Sequence, residues 1–504
     1  MTTTTSTIDS ATSSAALARR LGAILREGEG AGEAGWDFQR LIAPALFEEM
    51  NRSRAFSPIV PCAYGGGGAD PREVLTLLEA VSYESLPLGL VFGINIALFL
   101  QPLAKYGAEA LKKDVFGRFM GAGALGGLML TEPDYGTDLL SMQTCWRLEE
   151  GKYSVKGTKH WAGLSGRADF WLMSAREKKA DGSLKRDIDF FVCDSSQGGQ
   201  KVLLEGPYPT LGLHLIPYGR NRVDLDLPLG NKLEGSGSGV RLLLDLLHRS
   251  RLSFGGMAVG FLHRVFDDAL AGSRERRVGG KSLLAYDQVE RRLAEIQAAH
   301  TIAAAFCGDA LGHIALENDL SGQGLLANIH KAVLTDLMQE SAQSYLQLSG
   351  GNGYRLDGRA GRAAVDSRPF QIFEGSNDVL YDQVALAFIA GLKTAGRVPL
   401  AAFLAGHELT RRAAERFADL LDFTLDDRPP QRFQVDLGRL LGRLVAADRV
   451  LRLGESGYGS KLVENALLFL RSEAARLVST LRGGKDLHVV EGGEGRPSWQ
   501  DCSR

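Results

Sequence analysis

The chain has 504 residues, a formal charge of −2, 44% apolar residues and 23% charged residues. That length exceeds one ordinary core and predicts about two to four domains, while the near-zero charge provides no field that would draw the whole molecule to nucleic acid or an anionic membrane. The five cysteines, Cys62, Cys145, Cys193, Cys307 and Cys502, form no CxxC pair, which argues against a disulfide framework and a zinc site, fits a reducing compartment and leads us to expect a cytoplasmic protein.

Residues 1–14 are Ser/Thr-rich and are expected to be a disordered tail. This start has no apolar h-region, so no secretory signal is expected; an organelle transit peptide is the minor alternative, opposed by Asp9 and the low arginine content. No continuous apolar run of roughly 18 residues exists, so no membrane span is expected. Residues 15–122 read as a helical domain, with Val74, Leu75, Leu77 and Leu78 at helical spacing.

Over 123–238 the period shifts toward two. Trp146–Leu148 and Tyr153–Val155 flank the turn Glu149-Glu150-Gly151-Lys152; Phe170–Met173 and Ile188–Val192 flank a polar loop with Asp181-Gly182; Val223–Leu227 alternates. Short strands separated by turns predict a β-barrel or sandwich. Over 239–393 the helical period returns, and four helices are predicted near 239–277, 284–316, 324–348 and 377–392, a bundle. Residues 394–504 read as a helical extension with a Gly-rich, loose end. Segregated helical and strand blocks make the fold class α+β.

Several segments carry candidate chemistry. Glu374, in Phe373-Glu374-Gly375 at the mouth of a helix, is a candidate general base if its carboxylate is held out of water. The turn from Leu130 to Asp138 has two readings: ordinary turn chemistry, or a loop whose backbone and threonines, Thr131 and Thr137, hydrogen-bond a flat heteroaromatic ligand. Trp161 is either core or the wall of a cofactor site. Gln347-Leu348-Ser349-Gly350-Gly351 closes a helix with more glycines than a cap needs, which would let backbone approach a diphosphate. Arg276 ends the first bundle helix, where a cation is ordinary and a phosphate contact is the sharper alternative. No His/Cys spacing suggests a metal.

In chain order, Tyr64-Gly65-Gly66, Thr131-Glu132-Pro133, Gly136-Thr137-Asp138, Gly157-Thr158-Lys159-His160-Trp161, Arg276 with Gly280, Gln347 with Gly350-Gly351, and Glu374-Gly375-Ser376 together resemble the acyl-CoA dehydrogenase family over about residues 35–393. The resemblance implies FAD between the β domain and the bundle. Leu130 and Thr131 would line the flavin, with Thr137 and Gly163 beside it and Trp161 covering it. Arg276, Gln347, Gly350 and Gly351 would hold the diphosphate half, of a neighbouring subunit's FAD, with Ser376 and Asp378 near the nucleotide. Glu374 falls on the family's base, and Arg251 and Gly375 would lie against the substrate. Some relatives place the base just before an arginine on the first bundle helix, a slot held here by Ser250.

Two departures stand out: Gly163 replaces the usual threonine, and Gly279-Gly280 replaces the usual Phe-Gly. The implied function is FAD-dependent α,β-dehydrogenation of an acyl-CoA or acyl-carrier-protein thioester to the trans-2-enoyl product. An electron-transfer flavoprotein or other acceptor would reoxidise the flavin, and the chain would form a homodimer or homotetramer. The alternatives are a flavin monooxygenase or nitroalkane oxidase on the same fold, kept open by Gly163, and a non-catalytic nucleic-acid-binding flavoprotein. Residues 401–504 carry 16 Lys and Arg against 15 Asp and Glu, so no nucleic-acid partner is expected and the extension is expected to stabilise a dimer.

Overall fold

A computed structural model describes residues 4–29, 44–121, 123–235, 237–355, 357–396, 398–423, 425, 429–483 and 488–489. The loose end expected over the last twenty residues lies almost wholly outside them.

Six helices open the chain: α1 (Thr4–Glu29), α2 (Pro44–Arg52), α3 (Pro71–Glu84), α4 (Leu86–Asn95), α5 (Gln101–Tyr106) and α6 (Glu109–Gly121). Helix α1 starts at Thr4, where a disordered tail was expected over 1–14. Leu17, Ala18 and Leu21 bury their side chains, with α1 packed on α3, and the helix they anchor extends back through the polar start. Asp70 caps α3 by accepting from the Arg72 and Glu73 amides, ahead of Pro71 at the first helical position. Helices α4 and α5 are joined by a π-helical turn over Ile96–Leu100. The stretch Leu86–Tyr106 is by length and composition apolar enough to cross a membrane, where no continuous apolar run was found, because Gly89, Gly93 and Asn95 interrupt the run while its mean hydropathy stays at 1.8. Within the protein 89% of its most apolar window is buried. Asn95 secures it by accepting from the Gly126 amide at 2.7 Å.

The middle domain holds β1 (Gly126–Met129), β2 (Cys145–Glu149), β3 (Lys152–His160), β4 (Phe170–Glu177), β5 (Asp189–Asp194), β6 (Gln200–Pro207) and β7 (Gly219–Leu227). They form one sheet in the order β1-β4-β2-β3-β7-β6, with β5 also on β4. The β2–β3 turn has Glu150 and Gly151 at φ +49° and +75°, the left-handed pair that a tight two-residue hairpin requires. Strand β7 alternates buried and exposed residues along its whole length, one face on the core and one on solvent.

Four long helices follow: α7 (Gly239–Glu275), α8 (Asp287–Ala310), α9 (Gly324–Ser349) and, after the short α10 (Arg359–Ser367), α11 (Asn377–Thr394). Between α7 and α8 lies a small hairpin of β8 (Arg277–Val278) and β9 (Lys281–Ser282). Gly279 and Gly280 are its turn, at φ +56° and +80°, so the glycine pair serves local backbone geometry. The extension contains α12 (Leu400–Gly406), α13 (Arg411–Ala414), α14 (Gln431–Glu455) and α15 (Ser460–Gly483). Helix α14 packs on α8, α9 and α11, and α15 packs on α8. The architecture is α+β: a helical N-terminal domain, a curled sheet and a C-terminal helical domain.

Candidate active site

Glu374 stands in the loop between the 3-10 turn Arg368–Gln371 and α11. Its φ is +53° and that of Gly375 is +93°. The left-handed region costs a non-glycine residue roughly 1–2 kcal/mol, so the surroundings must hold it there. Arg251 of α7 donates to the Glu374 carbonyl from Nε at 3.1 Å and Nη2 at 2.7 Å, and from Nη1 to Asn328 Oδ1 at 2.6 Å. Lys331 of α9 donates to the Gly375 carbonyl at 2.8 Å and to Asn377 Oδ1 at 2.9 Å. Asn377 donates in turn to Asp336 at 2.6 Å, which also accepts from Gln371 and Tyr381.

The carboxylate faces inward. Ser250 of α7 donates its hydroxyl to Glu374 Oε1 at 2.8 Å. Oε2 is buried and has no hydrogen-bond partner among the described residues. Burial pushes the Glu374 pKa above the ordinary carboxylate value; Arg251, the Ser250 bond and Lys331 pull the other way without cancelling it. Burial also draws Lys331 down to about 7. Phe254, Phe370 and Phe373 wall this region, with ring centroids 4.9–6.2 Å apart.

A short run of contacts leads from here to the β domain. Met257 follows Phe254 on α7 and lies beside Gly93 of α4, where a Cβ would come within 3.3 Å of it, and a Cβ on Gly163 would lie 2.7 Å from the Cδ1 of Ile94, the next residue of α4. Two residues before Gly163, Trp161 has φ +53° and stays 53% exposed, its ring 4.7 Å from Tyr208 and 6.0 Å from Tyr218. An indole held by aromatic neighbours and left more than half open presents a flat face for stacking. Leu130 and Thr131 are half-buried and Thr137 is exposed on the same loop. The Thr131 carbonyl accepts from the His160 amide at 3.0 Å. Behind Leu130, the fully buried Lys159 pairs with Glu132 at 2.9 Å and donates to the Leu130 carbonyl at 3.1 Å.

The remaining candidates collect elsewhere. Arg276 donates to the Leu348 carbonyl at 3.2 Å and lies under Gly350, where a Cβ would come within 2.6 Å of its guanidinium. Gln347 and Gly351 are exposed beside them. Along α7, Arg276 is about 38 Å from Arg251 by helical rise, so this group and the Glu374 loop lie toward opposite ends of the bundle. Ser376 is the N-cap of α11 and makes no capping bond.

Family models for the acyl-CoA dehydrogenase N-terminal, middle and C-terminal domains match residues 23–121, 127–224 and 237–388. The chain belongs to the acyl-CoA dehydrogenase family. It is 26% identical over 351 residues to a glutaryl-CoA dehydrogenase of Desulfococcus multivorans, covering 68% of this chain and 87% of that one. A match to a short-chain-specific acyl-CoA dehydrogenase of Megasphaera elsdenii is 26% identical over 330 residues, 63% of this chain and 82% of the relative. Among solved folds, an acyl-CoA dehydrogenase complexed with FAD from Bacillus anthracis superposes with TM-score 0.75 at 19% identity, covering 93% of this chain and 86% of its own. The butyryl-CoA dehydrogenase of Megasphaera elsdenii gives 0.63 at 22%, covering 74% of this chain and 98% of its own.

Two of the expected site residues also have protein partners. Arg251, expected against substrate, donates from its three nitrogens to the Glu374 carbonyl and Asn328, which makes it a clamp on the loop. Asp378, expected near the nucleotide, is exposed and pairs with Arg439 of α14 at 2.8 Å, a partner the family resemblance over 35–393 did not include. Sequence reasoning also passed over Ser250 as a partner of Glu374, over Lys331 and Asp336, and over the burial of Lys159. The usable signal was a charged residue at an inward position of an otherwise apolar helix or strand, which must find a buried partner.

Proposed function

We propose that the chain catalyses FAD-dependent α,β-dehydrogenation of an acyl-CoA or acyl-carrier-protein thioester, with Glu374 as the base that removes the α-proton. The observation that carries this reading is the Glu374 carboxylate: raised in pKa, held at Oε1, and at Oε2 buried with no partner among the described residues. An ordinary carboxylate near pKa ~4.3 is too weak a base for a thioester α-carbon, and burial corrects this. The residues present fit the family's cofactor. Trp161 offers an open aromatic face, Ser376 has an uncommitted hydroxyl at the N-terminus of α11, and Arg276 meets a glycine turn that no side chain fills. FAD, when bound, accepts the β-hydride. The chain's own groups orient the substrate, exclude water and hold the proton at Glu374. Because the Arg276–Gly350 group lies about 38 Å along α7 from the clamp on Glu374, we assign it to the FAD of a second copy, in a homodimer or homotetramer. A cytoplasmic enzyme served by an electron-transfer flavoprotein completes the proposal.

Glu374→Gln tests it. The purified variant retains FAD and its yellow colour, and a saturated acyl thioester no longer bleaches it anaerobically. Normal bleaching by this variant would remove Glu374 from the reaction.

A further inference from the structure

Ser250 is one residue from Arg251, on the turn of α7 that faces the Glu374 loop. Its side chain is 4% exposed. The two oxygens of the base are not equivalent. Oε1 accepts the Ser250 hydroxyl at 2.8 Å, and Oε2 is buried with no donor among the described residues. A buried carboxylate oxygen without a donor is costly in a resting protein, and here the unpaired atom belongs to the group that must receive a proton.

We infer that Ser250 is a positioning residue that fixes Oε1 and thereby assigns the α-proton to Oε2. The inference rests on Glu374 being the base. In the step, the substrate Cα–H bond breaks, an O–H bond forms at Oε2, and the electron pair stays on carbon, conjugated with the thioester carbonyl. Throughout, Oε1 keeps accepting from Ser250, so the carboxyl plane does not rotate as the charge leaves. A hydrogen bond donated to a carboxylate favours its ionised form. Ser250 therefore also limits how far burial raises the base, together with the two cations facing it, Arg251 of α7 and Lys331 of α9; Asp336 of α9 faces Lys331 from behind Asn377.

The test is the pH profile of anaerobic flavin reduction by a saturated acyl-CoA, in Ser250→Ala, Ser250→Cys and Ser250→Thr, each with its FAD content measured. Loss of the donor moves the acidic limb of the profile to higher pH, in the order Thr least, Cys more, Ala most. It slows reduction at pH 7 by roughly tenfold or more in the alanine variant, the expected size for a hydrogen bond to a charged group. A purely structural serine would slow the reaction with the limb unmoved. That result, or a threonine variant that behaves like alanine, overturns the inference. If alanine does not fold, the Cys and Thr limbs decide it. Failure of the Glu374 reading has a different signature, full activity of Glu374→Gln, whatever Ser250 does.

Discussion

Arg251→Lys isolates the clamp on Glu374. The wild-type guanidinium makes two hydrogen bonds to the Glu374 carbonyl, at 3.1 and 2.7 Å, and one to Asn328 at 2.6 Å. Lysine keeps the charge but is a point donor on a flexible stem and cannot reproduce the fork. Hydrogen bonds from a charged group contribute about 1.5–3 kcal/mol each, so replacing three by one removes several kcal/mol. Against this stands the cost of the left-handed Glu374 backbone, about 1–2 kcal/mol, which the clamp no longer offsets. If about 2–4 kcal/mol of the loss falls on the position of the carboxylate, reduction of the bound flavin slows by roughly 30- to 1,000-fold. The assay is anaerobic stopped-flow bleaching by a saturated acyl-CoA, beside the FAD-to-protein ratio and the circular dichroism spectrum. A lysine variant with full FAD that bleaches within about threefold of wild type would refute the argument that this contact places the base.

Asp309→Ala should loosen the extension. Asp309 of α8 is 2% exposed and meets Arg449 and Arg452 of α14 at 3.0 and 3.1 Å and His330 of α9 at 3.3 Å. Removing it takes one of two carboxylates from the buried Arg449, which keeps Asp448 at 3.0 Å, and leaves His330 without its acceptor, at about 1–3 kcal/mol, seen as a lowered Tm by calorimetry; an unchanged Tm contradicts it. Burial pushes the Asp309 pKa up, but His330 and Arg449 pull it down to about 2, below its unfolded value of 3.8. The stability it contributes is therefore complete above about pH 4 and lost as pH falls toward 2, and Asp309→Asn should flatten that part of the acid-unfolding curve. Gly438→Val should separate α14 from α11, because a Cβ there would sit 2.0 Å from the Tyr381 carbonyl oxygen. The expected loss is about 1–3 kcal/mol or more in chemical denaturation, and a neutral substitution would show that the helices do not pack this closely.

The bundle helices and the β2–β3 hairpin were legible because each rests on local signals: a 3.6-residue apolar stripe, or a turn whose residues tolerate positive φ. Glu374, Trp161, Arg276 and Gly350 were legible only as an ordered set, since each alone has an ordinary structural explanation. What the sequence hid were partnerships across long separations. Nothing near Ser250 announces Glu374, 124 positions away, and nothing near Asp378 announces Arg439. The start of α1 was missed for the opposite reason. Its polar composition spoke for disorder, while Leu17, Ala18 and Leu21 further along supplied the burial that holds the helix.

The extension is physically continuous with the Glu374 loop. On α14, Gly438 and Gly442 lie one turn apart and let its backbone approach Tyr381 and Val333 closely; a Cβ on Gly442 would come within 2.9 Å of Val333. Tyr381 donates to Asp336 at 2.8 Å, Asn377 donates to the other oxygen of Asp336 at 2.6 Å, and Lys331 joins Asn377 to the Gly375 carbonyl. Buried polar groups of this kind are costly unless every member is satisfied. The ring of Tyr381 must therefore stay where Asp336 needs it, and α14 closes off the space into which it would otherwise move. A strained loop persists only when its surroundings over-determine it. Here that constraint comes from Arg251 on one side and, through Lys331, Asn377, Asp336 and Tyr381, from the extension on the other. The added helices are thus a second buttress for the Glu374 loop.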